Sequence, residues 1–174
     1  MASNSKKYIL TGVILGSIAA VSAGLIALTN LVTKDKIEEN EKNRILAGIS
    51  EIFEQKTKIK SEKKLTKYEY TVRYYNVTNK KDKFLGYAFK CEGSNMYGKI
   101  ALIAGFDGAS HNFISISLIT NEQTYASTLE DNYIVPLNED KIDVDDVSCG
   151  ATYGAKLVRD MINDASKAAK DLWK

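Results

Sequence analysis

The feature that most constrains this chain is a long uncharged run close to its N-terminus. No charged residue occurs in residues 8–33. At about 1.5 Å of rise per residue, a helix of that length can cross a hydrocarbon core of about 30 Å with some tilt. A cleaved signal peptide would have an apolar core of about 7–15 residues that ends at a small-residue cleavage site. Small-residue sites such as residues 22–24 lie well before the end of this run, so we predict a retained transmembrane anchor in residues 1–33.

The anchor carries a stripe of small residues. Four of them recur at intervals of four: Gly12, Gly16, Ala20 and Gly24. Gly and Ala are common in membrane helices, but an unbroken stripe lets a second helix approach closely and predicts neighbouring membrane proteins. Lys6 and Lys7 precede the run and Lys34 and Lys36 follow it, so flanking charge does not define the orientation.

Charge returns after the anchor, and residues 34–66 are predicted to form a stalk helix and a connector. Apolar residues up to position 56 follow a rough helical period: Ile37, Ile45, Leu46, Ile49, Ile52 and Phe53. Residues 56–67 are rich in lysine and lack periodicity. Glu62 interrupts them and the whole chain has a net charge of only +2, so a solvated connector is favoured over a nucleic-acid site.

The remaining residues, 67–174, predict one domain of the α+β class. Residues 68–77, 84–91, 99–106 and 113–120 have the composition and alternation of strands, and turn-forming residues separate them. The first has an aromatic face at Tyr68, Tyr70 and Tyr74. From Tyr153 onward, apolar residues recur every three or four positions, which indicates an amphipathic helix. We therefore expect an antiparallel sheet flanked by the stalk helix and the C-terminal helix.

The turn before the C-terminal helix reads D-x-x-C-G-A-T, from Asp146 to Thr152. Gly150 and Ala151 lack side-chain bulk, so a phosphate can come close to the backbone N–H groups. Such a turn at a helix start favours anions, because unpaired N–H groups and the positive end of the helix dipole coincide there. An ordinary capped helix, with Thr152 at or near the N-cap, explains the same residues.

A second block lies upstream of this turn. Residues 92–107 read EGSNMYGKIALIAGFD, and a further strand leads to Glu122, Gln123 and Thr124. Together the blocks resemble the FMN-binding domain family, which reads G-x-G-Y-x-G-x-I upstream and D-x-x-[S/T]-G-A-T downstream. The resemblance spans residues 87–170, and the order and spacing of the blocks agree. The upstream positions that match are Tyr97, Gly98, Ile100, Gly105, Phe106 and Asp107.

The resemblance implies a covalent cofactor, FMN joined through its phosphate to Thr152. It also implies that a separate flavin transferase attaches the FMN, which suits a threonine with no neighbouring histidine to activate its hydroxyl. The protein would then carry electrons without a substrate site of its own, with its flavin domain outside the cytoplasmic membrane. The expected cofactor-binding residues are Thr152, Ala151, Gly150, Cys149, Ser148, Asp146, Tyr153, Leu157, Thr124 and Tyr97, with Tyr125 as a further ring contact.

Residues 27–37, ALTNLVTKDKI, also resemble the anchor ends of the G-type component of the Rnf complex, the ion-translocating ferredoxin:NAD oxidoreductase. This predicts partners in the bilayer, namely the other membrane subunits of that complex. Three alternatives stay open. The chain could be the C-type component of the Na+-translocating NADH:quinone reductase, a stand-alone anchored flavoprotein, or an anchored scaffold module without flavin. Two departures from the family keep the scaffold open, namely Cys149 at a serine or threonine position and the missing P-G-L-G turn after Thr124.

Other chemistries find little support in the residues. His111 is the only histidine and lies in a turn, which favours a solvated turn over a hydrolase triad or a metal site. Cys91 and Cys149 are too few and too far apart for a zinc or iron–sulfur framework, and a disulfide between them is a minor alternative. The chain has no dinucleotide fingerprint or P-loop, so we do not expect it to bind NADH itself.

Overall fold

The computed structural model describes residues 2–55 and 57–173, and it describes their side chains except at positions 2–7 and 31. The predicted stalk end at Lys56 and the side chains of Lys6 and Lys7 therefore lie outside the described residues. The chain divides into two compact units, Met1–Lys42 and Asn43–Lys174.

A single long helix, α1 (Ala2–Ile52), forms the first unit and ends within the second. Large apolar side chains from Tyr8 to Val32 are 50% to 75% exposed. The hydroxyls of Ser17, Thr29 and Thr33 each donate to the carbonyl four residues earlier, at 2.8 Å, so they need no external partner. Mean hydropathy reaches 2.2, and by length and composition this is the one helix among the described residues that can span a membrane. The chain thus fits a single-pass membrane protein.

The second unit is built on a five-stranded antiparallel sheet in which neighbours in sequence are neighbours in space. Its strands are β1 (Thr57–Lys64), β2 (Thr71–Asn79), β3 (Phe84–Asn95), β4 (Gly98–Asp107) and β5 (Phe113–Asn121). The central pair, β3 and β4, keeps one register from Gly86↔Asp107 to Asn95↔Gly98. With helices against this sheet, the predicted α+β class is confirmed.

Strand β1 corrects the prediction of a solvated connector in residues 56–67. It pairs with β2 from Thr57↔Asn79 to Lys64↔Arg73, with a bulge between Ile59 and Ser61. Its side chains are mostly exposed, so no inward-facing alternation indicated a strand. Lysines on such an edge strand also oppose pairing with another sheet.

Each face of the sheet has its own hydrophobic core. On one face, the last turns of α1 contribute Ile45, Ile49 and Ile52 to a cluster with residues of β2, β3 and β4. The other face carries the larger cluster, which includes Phe89, Leu102 and the buried side of the C-terminal helix. The predicted aromatic face keeps to one side, because Tyr68, Tyr70 and Tyr74 all pack in the larger cluster, whereas the adjacent Tyr75 packs in the cluster with α1.

The helices on the larger core follow β5 along the chain. A short helix α2 (Ala126–Leu129) passes through a π-helical segment (Glu130–Ile134) into α3 (Val135–Asn138), and α4 (Thr152–Leu172) follows. The Asn138 side-chain amide bonds to both backbone groups of Ile116 on β5, at 2.8 and 2.9 Å. Oδ2 of the buried Asp164 on α4 accepts bonds from the N–H groups of Tyr70 and Thr71, both at 2.9 Å, which fixes α4 to the start of β2.

Candidate functional site

Three segments of the second unit converge on one cleft: the β3–β4 turn, the loop after β5, and the start of α4. The cleft has a volume of about 380 Å³. Pockets for small organic ligands typically measure about 300–1,000 Å³, so the cleft is large enough for such a ligand. Its lining consists of Tyr97, Gln123, Tyr125, Leu129, Gly150, Ala151, Thr152, Tyr153 and Gly154.

The start of α4 forms one wall of this cleft without any side-chain cap. Ala151 occupies the N-cap position, and Thr152 is the first helical residue, next to the N-cap as predicted. Gly150 has a φ of +81°, a left-handed conformation that glycine adopts without steric cost. The first N–H groups of a helix lack intrahelical acceptors and carry the positive end of its dipole. This wall therefore suits an anion.

Hydrogen bonds tie the loop after β5 to the β3–β4 turn. The N–H of Glu122 donates to the carbonyl of Lys99 at 2.8 Å, and the N–H of Thr124 donates to that of Tyr97 at 2.9 Å. Gly98, with a φ of +138°, allows this approach, because a Cβ there would lie 2.0 Å from the carbonyl oxygen of Glu122. The two segments consequently form one rigid wall.

The β3–β4 turn is also fixed to α4. The side-chain amide of Asn95 donates to the carbonyl of Tyr153 at 3.1 Å. The Tyr97 ring lies 5.5 Å from the Tyr153 ring and 6.1 Å from the Tyr125 ring, measured between centroids. Tyr125 and Tyr153 are 55% and 60% exposed, so aromatic surface at the cleft is open to solvent. The Lys156 ammonium lies 5.9 Å from the Tyr153 ring centroid and adds positive charge nearby.

The structure brings five of the predicted site residues together in the cleft lining: Tyr97, Gly150, Ala151, Thr152 and Tyr153. Tyr125, expected as a ring contact, also lines the cleft. The other predicted residues lie outside the lining. Cys149 and Leu157 are buried in the larger core, and Thr124, Asp146 and Ser148 are exposed or only partly buried.

Hydrogen bonds from the π-helical segment that follows α2 hold the loop before Thr152 in place. The carbonyl of Cys149 accepts a bond from the Asn132 side chain at 3.2 Å. The Tyr133 hydroxyl donates to the carbonyl of Val144, and burial raises the pKa of this phenol, so it remains a neutral donor. Cys149 thus takes part in packing, and its backbone helps to place Gly150.

Sequence reasoning did not assign Gln123, Leu129 and Gly154 to the cleft. Gln123 is only 7% exposed, and its Nε2 donates to the carbonyl of Gly98 at 2.5 Å. This contact joins residues that lie 25 positions apart, so no local pattern indicated it. The single available signal was the place of Gln123 in the block after β5.

The remaining candidate groups are engaged elsewhere. The His111 ring stacks on Trp173, with centroids 4.1 Å apart, and the Ser110 hydroxyl donates to Asp107 at 2.9 Å and not to the imidazole. Cys91 and Cys149 are both free and buried, and burial raises the pKa of Cys91 to about 12. Within the part of the chain that the structure describes, no three His, Cys, Asp or Glu side chains form a group that could hold a metal ion.

Comparison with known proteins gives a family match that covers the N-terminal helix. The family model of the RnfG N-terminal region matches residues 1–52. These residues include the whole of α1, and therefore both the apolar run and the turns that pack on the sheet. No curated protein matches the chain. The chain is therefore similar to RnfG over these 52 of its 174 residues.

Proposed function

We propose that the chain carries FMN as a phosphoester on Thr152 and passes electrons within an Rnf-type ion-translocating ferredoxin:NAD oxidoreductase. The observation that supports this most is the start of α4. A threonine hydroxyl, unpaired N–H groups and a cleft of suitable volume occur at one point, in a chain whose anchor matches the RnfG family.

The lining residues fit the two halves of such a cofactor. The first turn of α4 offers N–H groups to a phosphate, and the Lys156 ammonium, one helical turn after Thr152, adds a compensating charge. Tyr97, Tyr125 and Tyr153 offer flat apolar surface to an aromatic ring. When bound, FMN supplies transfer of one or two electrons. The chain's own residues hold the ring, orient it and determine its surroundings.

Attachment needs an outside enzyme, because no base in the cleft lining activates Thr152. Among the residues that the structure describes, the lining contains no histidine or carboxylate, and His111 lies in the β4–β5 turn, at the other end of β4 from Gly98. A Mg-dependent flavin transferase would use FAD as the donor. The Thr152 Oγ–phosphorus bond forms, the pyrophosphate bond of FAD breaks, AMP leaves, and the hydroxyl proton passes to solvent or to the transferase.

The RnfG match favours the Rnf complex over the quinone reductase, whose C-type component would use the same linkage. We place the flavin domain on the extracytoplasmic side of the membrane, where a covalent bond prevents loss of the cofactor. A non-covalent flavin there would be retained only as far as mass action allows. The other membrane subunits of the complex would be the partners in electron transfer.

Intact mass and in-gel flavin fluorescence, with and without a co-expressed flavin transferase, test this function. We expect the wild type to gain one FMN and Thr152→Ala to gain none. Ser127→Ala, which removes an exposed hydroxyl on α2 outside the cleft lining, is the matched control and should be modified fully. An unmodified wild type beside a competent transferase would favour the flavin-free scaffold. Modification of Thr152→Ala would move the attachment site elsewhere.

A further inference from the structure

Gln123 is the buried polar side chain in the wall of the cleft. It is 7% exposed, and the other buried members of the lining are Leu129, Ala151 and Gly154. A buried amide is costly unless its donor and its acceptor both find partners. The partners of the Gln123 amide donor, Nε2, and of its acceptor, Oε1, therefore indicate what the side chain does.

The donor half is satisfied within the protein, and the acceptor half is not. Nε2 donates to the carbonyl of Gly98, and this bond fixes which end of the amide is the oxygen. Oε1 lies 3.3 Å from the point that a Cβ would occupy at Gly154, so it faces the first turn of α4. No described residue donates a hydrogen bond to Oε1. Oε1 also keeps some exposed surface, because it is not one of the fully buried atoms without a partner. The acceptor therefore remains open toward the cleft.

We propose that Gln123 contacts the flavin directly and tunes it: Oε1 accepts a hydrogen bond from an N–H that reduction adds to the isoalloxazine ring, while Nε2 stays bonded to Gly98. This inference rests on the proposed function. With the phosphate on Thr152, the ring would extend toward the lining that other segments supply. That lining contains Tyr97 and Tyr125 for the ring faces and Gln123 as the buried polar contact.

The inference predicts the sign of an effect on the reduction potential. Two-electron reduction of a flavin with uptake of two protons adds N–H donors to the ring. An acceptor oxygen held against one of these added N–H groups therefore stabilises the reduced form more than the oxidised form. Loss of Oε1 should weaken that preference about threefold to tenfold, as expected for one hydrogen bond. For a two-electron couple this equals a fall of about 15–30 mV.

The sequence offers a matched pair for the test, because its only glutamines are Gln55 and Gln123. Gln55 is exposed and lies outside the cleft lining. Full-length flavinylated protein would be prepared as wild type, Gln123→Met and Gln55→Met. We expect the potential to fall only in Gln123→Met. A mere loss of stability would not by itself lower the flavin potential.

A second measurement uses the wild type and so does not depend on the folding of a variant. With glutamine labelled with 13C at the side-chain amide carbon, the reduced-minus-oxidised infrared spectrum should contain one isotope-shifted amide band, and the band should persist in Gln55→Met. Flavin-loaded protein without this band, or an unchanged potential in Gln123→Met, would overturn the role of Gln123 and leave the proposed function intact. Absence of covalent flavin from the wild type would instead contradict the proposed function, and with it this inference.

Discussion

The start of α4 and the β4–β5 turn differ in whether a side chain accepts hydrogen bonds from their backbone N–H groups. In the turn, Oδ2 of Asp107 accepts bonds from the N–H groups of Ala109 and Ser110, at 3.0 and 2.6 Å, and from the Ser110 hydroxyl. At the start of α4 no side chain caps the helix, and Ala151 and Gly150 have no group that could.

The difference shows how a site can be recognised by what the protein leaves unsatisfied. One carboxylate is enough to saturate a turn, as Asp107 does. The middle of α4 uses the same device, because Asp164 satisfies two N–H groups of the β2 segment. A helix start that lacks such a group, in the wall of a cleft, keeps its donors available for a ligand. The following predictions test this contrast, in order of decreasing effect.

Asp164→Ala should produce the largest loss of stability. The change leaves the buried N–H of Thr71 and the N–H of Tyr70 without their acceptor, which we expect to lower the free energy of unfolding by about 3–5 kcal/mol. Thermal unfolding of the full-length protein in detergent measures this. Asp160→Ala, on the same helix, removes only a surface pair with Arg159 and should cost about 0–1 kcal/mol. Equal losses in the two variants would contradict the role of Asp164.

Asp107→Ala should cost about 1 kcal/mol, because its partners lie in an exposed turn where water can replace the carboxylate. Flavin attachment at Thr152 should be unchanged, since Asp107 and Gly98 lie at opposite ends of β4. Unfolding curves and intact mass of the same preparation test both expectations. A loss of flavin in this variant would show that the two ends of the sheet are coupled.

Ala151→Ser would give the start of α4 the cap that it lacks. A serine hydroxyl at the N-cap typically stabilises a helix by about 0.5–1 kcal/mol relative to alanine. The same hydroxyl would compete with a phosphate for the first-turn N–H groups, so we expect higher thermal stability and slower flavinylation. The melting temperature and the time course of FMN incorporation, measured on the same preparation, test both expectations. Faster flavinylation would contradict the view that unsatisfied donors form the site.

The smallest effect concerns pH. Bonds from the Ser110 and Ala109 backbone hold the pKa of Asp107 below its usual range. A carboxylate whose pKa is lowered on folding stabilises the folded state above its unfolded pKa of about 3.9 and loses this contribution as pH falls through the folded pKa. The stability difference between the wild type and Asp107→Asn should therefore shrink below about pH 4. A difference that stays constant down to about pH 2, well below that unfolded pKa, would exclude an ionised Asp107 as its source.

Local patterns predicted most of the fold. Alternation and turn residues located β3, β4 and β5, and the three- and four-residue period located α4. The edge strand β1 was missed because it is defined by pairing with β2, while its own side chains are polar and exposed. The start of β2 at Thr71 was also missed, since the Asp164 carboxylate holds that point from another element.

The candidate site was predictable where it is continuous in sequence and not where it depends on packing. Gly150, Ala151 and Thr152 form one turn, so a motif could indicate them. The family resemblance also implied Leu157 as a cofactor contact, but its side chain, further along α4, is buried in the larger core. Gln123 enters the cleft through its long-range bond to Gly98, and only a structure could reveal that bond.

The order of the elements along the chain also has a consequence for synthesis. Each strand of the meander pairs with the one made just before it, so the sheet can assemble as the polypeptide emerges from the ribosome. The β3–β4 turn and the loop after β5 are then already in place, but the cleft lacks its α4 wall until that helix is made and Asp164 bonds to residues synthesised 93 and 94 positions earlier. Thr152 therefore becomes part of a formed pocket only after the rest of the domain has been translated. A maturation enzyme that recognises this pocket would leave incomplete chains unmodified.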